Sequence, residues 1–300
     1  MTDVYEFIDS CRDANAKYAY PVKKMCLWSG VSSSGFFAWA SRPQSATAAR
    51  REHLATLVVA IFDVSDQTYG YRRVHAQLAR QGEQCGPELV RQIMRDADLI
   101  TCQPRPWRHN LTEADGREHH IPDLLEQDFT ADAPGTTLIG DITYIPTWQG
   151  WLYLATVIDV HTRMVIGYAT DDNYRTPLIS AALRAATNNQ KIAPNAIFHS
   201  DRGSNYTSAE FATTISALGM RQSMGRTGIC YDNAMAESFF AALKNERINR
   251  TVYPTREHAR KDITRYIEFW YNTKRLHSSL RPPEVGPRAV VNGDHGWVIW

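Results

Sequence analysis

The pattern of hydrophobic and polar positions changes about a third of the way along the chain. In residues 1–100, apolar residues recur every three or four positions, which predicts amphipathic helices. From about residue 136, apolar and β-branched residues form short runs separated by turn residues, which predicts strands. We therefore expect a helical first part, followed by a part that contains a sheet.

The first helices of this pattern are short and separated by a tight turn. We predict a helix over 4–20, a second over Val22–Trp28 and a third over Ser33–Ala40. Gly30 can form the turn and Ser32 can cap the third helix. Two short helices joined in this way are typical of helix-turn-helix DNA-binding units, and a plain helical hairpin is the alternative.

A second group of helices follows a polar linker at 41–51. We predict a helix over 52–64, a helix in YGYRRVHAQLARQG that ends at Gly82, and a helix in CGPELVRQIMRDADLI with Pro87 in its first turn. The last two helices are short and carry several arginines. They predict a second unit of the helix-turn-helix kind.

The strand-forming part predicts a mixed sheet with helices on its faces. The runs TTLIGDITYIPT, WLYLATVIDVHT and RMVIGYATDD are separated by short turns and predict an antiparallel meander. Strands at Asn195–Ser200 and Met220–Ser223 then alternate with helices at Thr176–Gln190 and Ser208–Leu218. This order indicates the α/β class.

Two further helices follow the last strand. Asp232 can cap a helix in the run NAMAESFFAALKNE. A basic helix is predicted from about Thr255 to Asn272, and its apolar stripe includes Ile263 and Ile267. That stripe favours packing against the sheet over contact with DNA bases.

Changes of pattern and composition along the chain predict five segments. They are a helix-turn-helix segment at 1–45, a second helical DNA-binding domain at 46–105, a linker at 106–125, the sheet-containing core at 126–250, and a C-terminal basic helix and tail at 251–300.

Charge is unevenly distributed although the net charge is only +1. Residues 1–110 carry 14 Lys or Arg and 11 Asp or Glu, residues 111–240 carry 8 and 15, and residues 241–300 carry 11 and 6. An acidic centre between basic flanks suits a metal-binding core that its neighbours hold on DNA. Within the first flank we predict phosphate contacts from Lys23 and Lys24.

Composition excludes two other classes of protein. No apolar run approaches the roughly 20 residues that a membrane span needs, and the N-terminus is mixed and acidic, unlike a signal peptide. The five cysteines are scattered without a CxxC pair, so we predict reduced thiols in a cytosolic protein and no structural zinc.

Three carboxylates stand out because of their surroundings. Asp141 lies within the apolar run LIGDITYIP, Asp201 ends the run IFHS, and Glu237 lies in the predicted helix after Asp232. Most acids are solvated surface groups, but an unpaired carboxylate within a buried strand is costly. Three converging acids could hold two divalent cations for phosphoryl transfer, since Mg²⁺ prefers oxygen ligands and keeps several waters.

Lys244 is a candidate partner for these acids. It lies seven residues after Glu237, and this spacing places both side chains on one helix face. A cation there could contact a DNA phosphate, and a solvated surface lysine is the alternative.

Five motifs give the chain a specific resemblance. DITY contains Asp141, HSDRGSNY contains Asp201, and YDNAMAESFFAALKNE contains Glu237 and Lys244, while YGYRRVH and YNTKRLHSSL flank them. In this order and spacing the motifs resemble insertion-sequence transposases with a retroviral-integrase-type core. They look specifically like the larger subunit of the insertion sequence three family, although Leu138 stands where that family usually has Trp.

The resemblance implies an RNase H-like fold for the mixed sheet, preceded by all-α helix-turn-helix segments. It implies two Mg²⁺ or Mn²⁺ ions per active site, cleavage at transposon ends and strand transfer into target DNA. Asp141, Asp201 and Glu237 would be the catalytic metal ligands, and Lys244 would contact the transposon end.

Further predicted DNA contacts lie in the same motifs. Arg72 and Arg73 belong to YGYRRVH, Arg202 to HSDRGSNY and Asn233 to the YDN turn. The predicted partner is double-stranded DNA, bound by a dimer or larger homo-oligomer. The resemblance also implies an upstream helix-turn-helix and leucine-zipper subunit, joined by frameshifting. We expect a cytoplasmic, nucleoid-associated bacterial protein with no membrane partner.

Two other functions are compatible with parts of this pattern. One is a non-catalytic DNA-binding repressor that uses only the N-terminal helices, and a metal-binding assay would distinguish it. The other is an RNase H-like nuclease that cuts DNA without joining it. The match at Lys244 and the helical units before the core favour transposition.

Overall fold

The structure is a computed structural model that describes residues 2–11, 20–102, 121–126, 128–225 and 234–277. The chain forms two compact units, the first made of Met1–Val64 with Val74–Leu99 and the second of Ser65–Arg73 with Ile100–Trp300. Within the described ranges, no helix is both long enough and apolar enough to cross a membrane. Cys11, Cys26, Cys85 and Cys102 are free thiols, and Cys230 lies outside the described residues.

The first unit begins with three short helices. They are α1 (Thr2–Ser10), α2 (Val22–Trp28) and α3 (Ser33–Ala40). Gly30 forms the predicted turn with a φ of 67°, and the Ser32 hydroxyl caps α3 by accepting a hydrogen bond from Gly35 N at 3.3 Å. Ile8, Cys26 and Phe36 form the centre of a small apolar core between the three helices.

The first helix is shorter than predicted. It ends at Ser10, Cys11 is in a turn, and residues 12–19 lie outside the described residues. Apolar spacing alone does not mark an end, and the acidic and basic residues that follow carry no stop signal that could correct the prediction.

Three longer helices complete the first unit. They are α4 (Ala46–Val64), α5 (Tyr71–Arg80, whose first residues belong to the second unit) and α6 (Pro87–Asp96). The predicted start of α4 at residue 52 was wrong, because the alanine-rich turn before it favours helix and the Ser45 hydroxyl accepts a hydrogen bond from Ala48 N at 3.1 Å. Gly82 follows α5 with a φ of 86°, and Pro87 opens α6 as predicted.

The second unit is built on a five-stranded mixed sheet. Its strands are β1 (Thr137–Thr147), β2 (Gly150–Asp159), β3 (Val165–Asp171), β4 (Ile197–Ser200) and β5 (Arg221–Met224). Their order is β3-β2-β1-β4-β5, with the first three antiparallel and with β4 and β5 parallel to β1. The predicted meander and mixed sheet are therefore confirmed.

Helices cover both faces of this sheet. The described helices are α7 (Thr176–Asn189), α8 (Ala209–Ala217), α9 (Ala234–Glu246) and α10 (Arg256–Arg265), with a 3₁₀ turn at Ile248–Arg250 and a π-helical turn at Tyr266–Tyr271. One apolar cluster joins the sheet to α9, α10 and the π-helical turn, and a second joins its other face to α7 and α8. Ile139 belongs to the first cluster, whereas its neighbour Leu138 belongs to the second.

A buried carboxylate fixes the C-terminal end of α9. Both oxygens of Glu246 accept hydrogen bonds from the Arg275 guanidinium, at 2.7–3.0 Å, and Oε2 also accepts one from the Tyr266 hydroxyl at 2.9 Å. Arg73 approaches the same carboxylate at 3.5 Å. Helix α9 is thus held by residues from three separate stretches of the chain.

The short segment Ser65–Arg73 is part of the second unit. Its Tyr69 hydroxyl accepts a hydrogen bond from Leu276 N at 2.8 Å and donates one to Lys274 O at 3.3 Å. The Arg250 guanidinium donates to Asp66 O at 2.6 Å. The five-segment division inferred from the sequence stays a prediction, but this segment packs with the sheet-containing unit.

Candidate active site

The strand register places Asp141 and Asp201 beside each other. The parallel pairing of β1 with β4 ends at Ile139 opposite His199. Two residues beyond these partners are Asp141, still on β1, and Asp201, which follows the last residue of β4. Side chains alternate along a strand, so Asp141 projects to the same face as Ile139, the face that α9 covers. Asp141 therefore lies on β1 near the end of β4, where Asp201 begins the following loop.

The backbone on this edge permits close packing. A Cβ on Gly140 would overlap the ring of Phe198, so only glycine lets β1 lie this close to β4 just before Asp141. Asp201 Oδ1 accepts a hydrogen bond from Gly203 N at 3.0 Å, and Asp141 Oδ1 accepts one from Ile142 N at 2.7 Å. Local backbone donors therefore orient both acids.

Helix α9 carries the third acid and the lysine. Glu237 lies exposed in its first turn, and Lys244 lies half-buried in its last turn. The Lys244 Nζ atom is 5.1 Å from the centre of the Tyr144 ring, a cation–π distance. Its charge also interacts with Asp141, whose carboxylate opposes the lowering of the Lys244 pKa by burial.

The electrostatics show which acids share one environment. Burial raises the pKa of Asp141 well above its ordinary value, the charges of Asp201 and Glu237 raise it further, and Lys244 opposes the rise. Burial also raises the pKa of Asp201, against the hydrogen bond from Gly203. Asp201 and Glu237 therefore both lie within electrostatic reach of Asp141.

The three acids do not, however, lie close enough together to form a complete metal-binding site. Among the residues that the structure describes, no group of three His, Cys, Asp or Glu side chains lies close enough together to hold a metal ion. Their assignment as metal ligands stays a prediction.

Sequence reasoning missed two residues beside these acids. Thr156 pairs with Asp141 across β1 and β2, is 1% exposed, and its hydroxyl has no hydrogen-bond partner among the described residues. Tyr206 is buried near both aspartates, because their charges contribute to its raised pKa after burial itself. The signal for Thr156 was a polar residue within the apolar run LYLATVID, and the signal for Tyr206 was its place at the end of the motif HSDRGSNY.

The residues of the helical segments that were predicted to contact DNA differ in their exposure to solvent. Lys23, Lys24 and Arg72 are exposed. Arg73 is half-buried and pairs with Glu246, so its charge is already neutralised within the second unit.

The predicted contacts near the acids have other positions. Arg202 Nε donates a hydrogen bond to Gly225 O at 2.7 Å, which holds the guanidinium against the end of β5. Asn233 and the predicted cap Asp232 lie outside the described residues. Leu138, which replaces a tryptophan of the family pattern, is buried on the face opposite to Asp141, so this departure does not alter the acids directly.

Comparison with known proteins identifies both units. A family described as an integrase core domain matches residues 131–230, and a second integrase core family matches 218–282. A family described as an HTH-like domain matches residues 49–107. These matches and the sheet order define a polynucleotidyl transferase with an integrase core and an RNase H-like fold.

Relatives that span most of the chain give the family. Transposase InsF for insertion sequence IS3A of Escherichia coli (strain K12) is 37% identical over 264 residues, covering 86% of this chain and 90% of the relative. An uncharacterized 31 kDa protein of insertion element IS600 from Shigella sonnei is 35% identical, covering 85% and 94%. The transposase for element IS904 of Lactococcus lactis is 36% identical, covering 77% and 90%.

The chain belongs to the insertion-sequence transposases of the IS3 family. This confirms the family, the fold class and the transposase activity that the motifs predicted. Proteins with this core generally use divalent metal ions.

The residues present fit such ions. The predicted donors are carboxylate oxygens, which Mg²⁺ and Mn²⁺ prefer, and few of them are needed because Mg²⁺ keeps several waters. The Thr156 hydroxyl, opposite Asp141, has no hydrogen-bond partner among the described residues. It is a further oxygen that could accept a hydrogen bond from a water molecule of a bound Mg²⁺ ion.

Millimolar Mg²⁺ should raise the melting temperature of the full chain. Two unit charges 4 Å apart repel by about 4 kcal/mol at an effective dielectric of 20, and a bound cation removes this repulsion. A ligand specific for the folded state stabilises it by about 2.7 kcal/mol at a hundredfold excess over its Kd. We expect Asp141→Asn to raise the metal-free melting temperature and to abolish most of the metal-dependent increase, measured by scanning calorimetry.

The matched control is Asp132→Asn, which changes an exposed aspartate. It should keep the full metal-dependent increase. An equal increase in wild type and Asp141→Asn would show that the cation binds elsewhere.

Proposed function

We propose that this transposase cuts DNA at the ends of its element and joins the freed strands to target DNA at a site formed by Asp141, Asp201 and Glu237. The observation that carries the proposal is that β1 and β4 are adjacent parallel strands, with Asp141 on β1 and Asp201 directly after the end of β4, and that the charge of Asp201 acts on Asp141. Helix α9 supplies Glu237 and Lys244 to the same environment.

Each residue has a distinct role in this proposal. The three carboxylates would hold two Mg²⁺ or Mn²⁺ ions, which stabilise the attacking and leaving oxygens of an in-line displacement. Asp141 and Asp201 each accept a hydrogen bond from a nearby backbone N–H group, which fixes one oxygen of each carboxylate and leaves the other to bind a cation. Lys244 would bind a phosphate of the transposon end, since its ammonium group lies within electrostatic reach of Asp141.

The remaining DNA contacts belong to the helical segments and the flanks of the site. Lys23, Lys24 and Arg72 are exposed and suited to phosphate contact, whereas Arg73 would act by holding α9. Arg202 and Asn233, next to two of the motif acids, would contact the strand that enters the site.

Changing Lys23 and Lys24 together to Ala should weaken DNA binding for all sequences. Each lost phosphate contact reduces the slope of log affinity against log salt by about 0.9, so the double variant should lose about 1.8. Fluorescence anisotropy across a salt series measures this slope. The control is the double change of Lys191 and Lys261 to Ala, which removes the same charge from exposed lysines of the second unit. An equal loss of slope in the control would assign the effect to net charge.

The assembly on DNA is part of the same proposal. Two ends must be joined to one target, so we expect a dimer or a larger homo-oligomer on double-stranded DNA. An upstream helix-turn-helix and leucine-zipper subunit, made as a frameshift fusion, would be a further partner in end recognition. Nucleoid association in a bacterial cytoplasm would follow from the DNA contacts.

A joining assay tests the proposed function directly. The full chain is incubated with labelled DNA that carries the native element ends, plasmid target and Mg²⁺ or Mn²⁺, and the products are separated on denaturing gels. We expect cleaved ends and covalent end–target products. Cleavage without joining would make the protein a nuclease, and binding without cleavage would make it a repressor. Either result would overturn the proposal.

A further inference from the structure

Five aromatic side chains surround the hairpin between β1 and β2. They are Tyr144, Trp148, Trp151, Tyr153 and Tyr174, and we call them the hairpin aromatic patch. Trp148 is 77% exposed, Tyr174 54% and Trp151 49%, although large aromatic side chains are usually buried.

These rings form a connected surface. Tyr144 and Trp151 meet edge to face with centroids 4.8 Å apart, and Tyr144 pairs with Tyr153 across the two strands. Tyr153 in turn contacts Tyr174 at 5.2 Å. Trp148 follows at the tip of the same hairpin.

The hairpin that carries the patch is held firmly in place. Trp148 N donates a hydrogen bond to Tyr253 O at 3.1 Å. Arg256 adds two more, from its backbone N to Gln149 Oε1 and from Nε to Trp151 O, both at 3.0 Å. The exposed rings are therefore presented by a fixed backbone, which limits the entropy lost when a ligand binds.

Lys244 connects the patch to the predicted catalytic acids, although strand alternation directs Tyr144 to the sheet face opposite to Asp141. Lys244 lies over the Tyr144 ring and also interacts with Asp141. Tyr144 is three residues beyond Asp141 on β1, and Trp151 pairs with Pro146, five residues beyond it. At about 3.3 Å per residue, the rings lie roughly 10–17 Å along the strand from the acid.

We propose that the hairpin aromatic patch binds unpaired nucleobases of the DNA strand whose phosphate is held at Asp141, with Lys244 on an intervening phosphate. The inference rests on the proposed function. An unpaired strand is more extended than the roughly 3.4 Å per nucleotide of a strand in a duplex, so the stacked bases lie within about five nucleotides of the reacting phosphate. Exposed rings next to a cation match a chain that alternates bases with phosphates, and stacking accepts any base.

The test measures binding without catalysis. Three fluorescent probes share one duplex: the first ends in an unpaired tail of five thymidines, the second in a tail of five abasic sites, and the third is blunt. Anisotropy titrations with the full chain are carried out in EDTA, so that no strand is cut. We expect wild type to bind the thymidine tail at least about fivefold more tightly than the abasic tail.

Variants of the patch identify the residues responsible. Trp148→Ala and Trp151→Ala combined should remove the difference between the two tails and leave the affinity for the abasic and blunt probes unchanged. Trp151→Phe, which keeps a ring, should retain most of the difference. Phe269→Ala is the control, because Phe269 is 67% exposed but lies on the π-helical turn. Thermal melts confirm that each variant is folded.

Several results would overturn the inference. They are equal wild-type affinity for the two tails, an equal loss of affinity for all three probes in the double variant, and loss of the tail difference in Phe269→Ala. A change of oligomeric state in the double variant, with the tail difference preserved, would assign the patch to an interface between protein copies. The outcome of this test is independent of the outcome of the joining assay, because the binding titrations use no metal ion and no joining step. Failure of the inference can therefore be distinguished from failure of the proposed function.

Discussion

Replacing Asp141, Asp201 or Glu237 by its amide should abolish DNA cleavage and joining while DNA binding persists. Asparagine and glutamine keep the shape of each side chain, but they lose the charge that binds a cation. Metal-ion catalysis contributes several kcal/mol to the transition state, and each 1.36 kcal/mol is tenfold in rate. We therefore expect joining to fall by about a thousandfold or more in each variant.

The measurement combines the gel-based joining assay with anisotropy on the same DNA. Asp132→Asn and Glu257→Gln are matched controls, since both change exposed acids to amides, and they should join DNA at the wild-type rate. Wild-type joining by one of the three site variants would remove that residue from the site. Loss of DNA binding in all three would indicate a folding defect, and thermal melts of the same samples would detect it.

Replacing Glu246 by Ala should strongly destabilise the protein. The side chain of its partner Arg275 is 8% exposed and would keep a buried charge without its carboxylate. Removing one member of a buried ion pair costs about 3–5 kcal/mol. Chemical denaturation of the full chain measures this loss. The control is Glu257→Ala, whose contacts with Arg260 and Lys261 are exposed and contribute about 1 kcal/mol or less.

The same carboxylate makes stability depend on pH. Burial raises the pKa of Glu246, but the hydrogen bonds and charge of Arg275 outweigh it, so the pKa lies below its ordinary value of 4.5. A lowered pKa means that the stabilisation is fully present above 4.5 and is lost as the pH falls through the lower, folded-state value. Wild type should therefore lose more stability than Glu246→Ala below this pH. Parallel pH profiles of the two proteins would contradict the assignment.

The loss at Glu246 should also affect the active site. Helix α9 has Glu237 in its first turn and Lys244 in its last turn, two residues before Glu246. Joining should fall in Glu246→Ala even at temperatures where the variant is fully folded, because the end of α9 is no longer held.

Much of the fold follows from local pattern. The strand bounds of β1, β2 and β3 follow from apolar runs and short turns, the turn after α2 follows from Gly30, and the start of α3 follows from Ser32. These signals are carried by residues within a few positions of each other. The start of α4 was missed because the polar, alanine-rich stretch before residue 52 has no large apolar residues at helical spacing. Its residues nevertheless have a high helix propensity.

The sequence by itself determined the family and pointed to the candidate acids, because Asp141, Asp201 and Glu237 each stand in a recognisable local motif. Only the tertiary structure decided what lies beside them. Thr156 meets Asp141 through strand register, and Lys244 meets Tyr144 through the packing of α9. Arg73 and Glu246 are 173 residues apart in sequence, so their pairing has no local signal. Local propensity depends on neighbours along the chain, whereas contacts of this kind exist only after distant segments have packed.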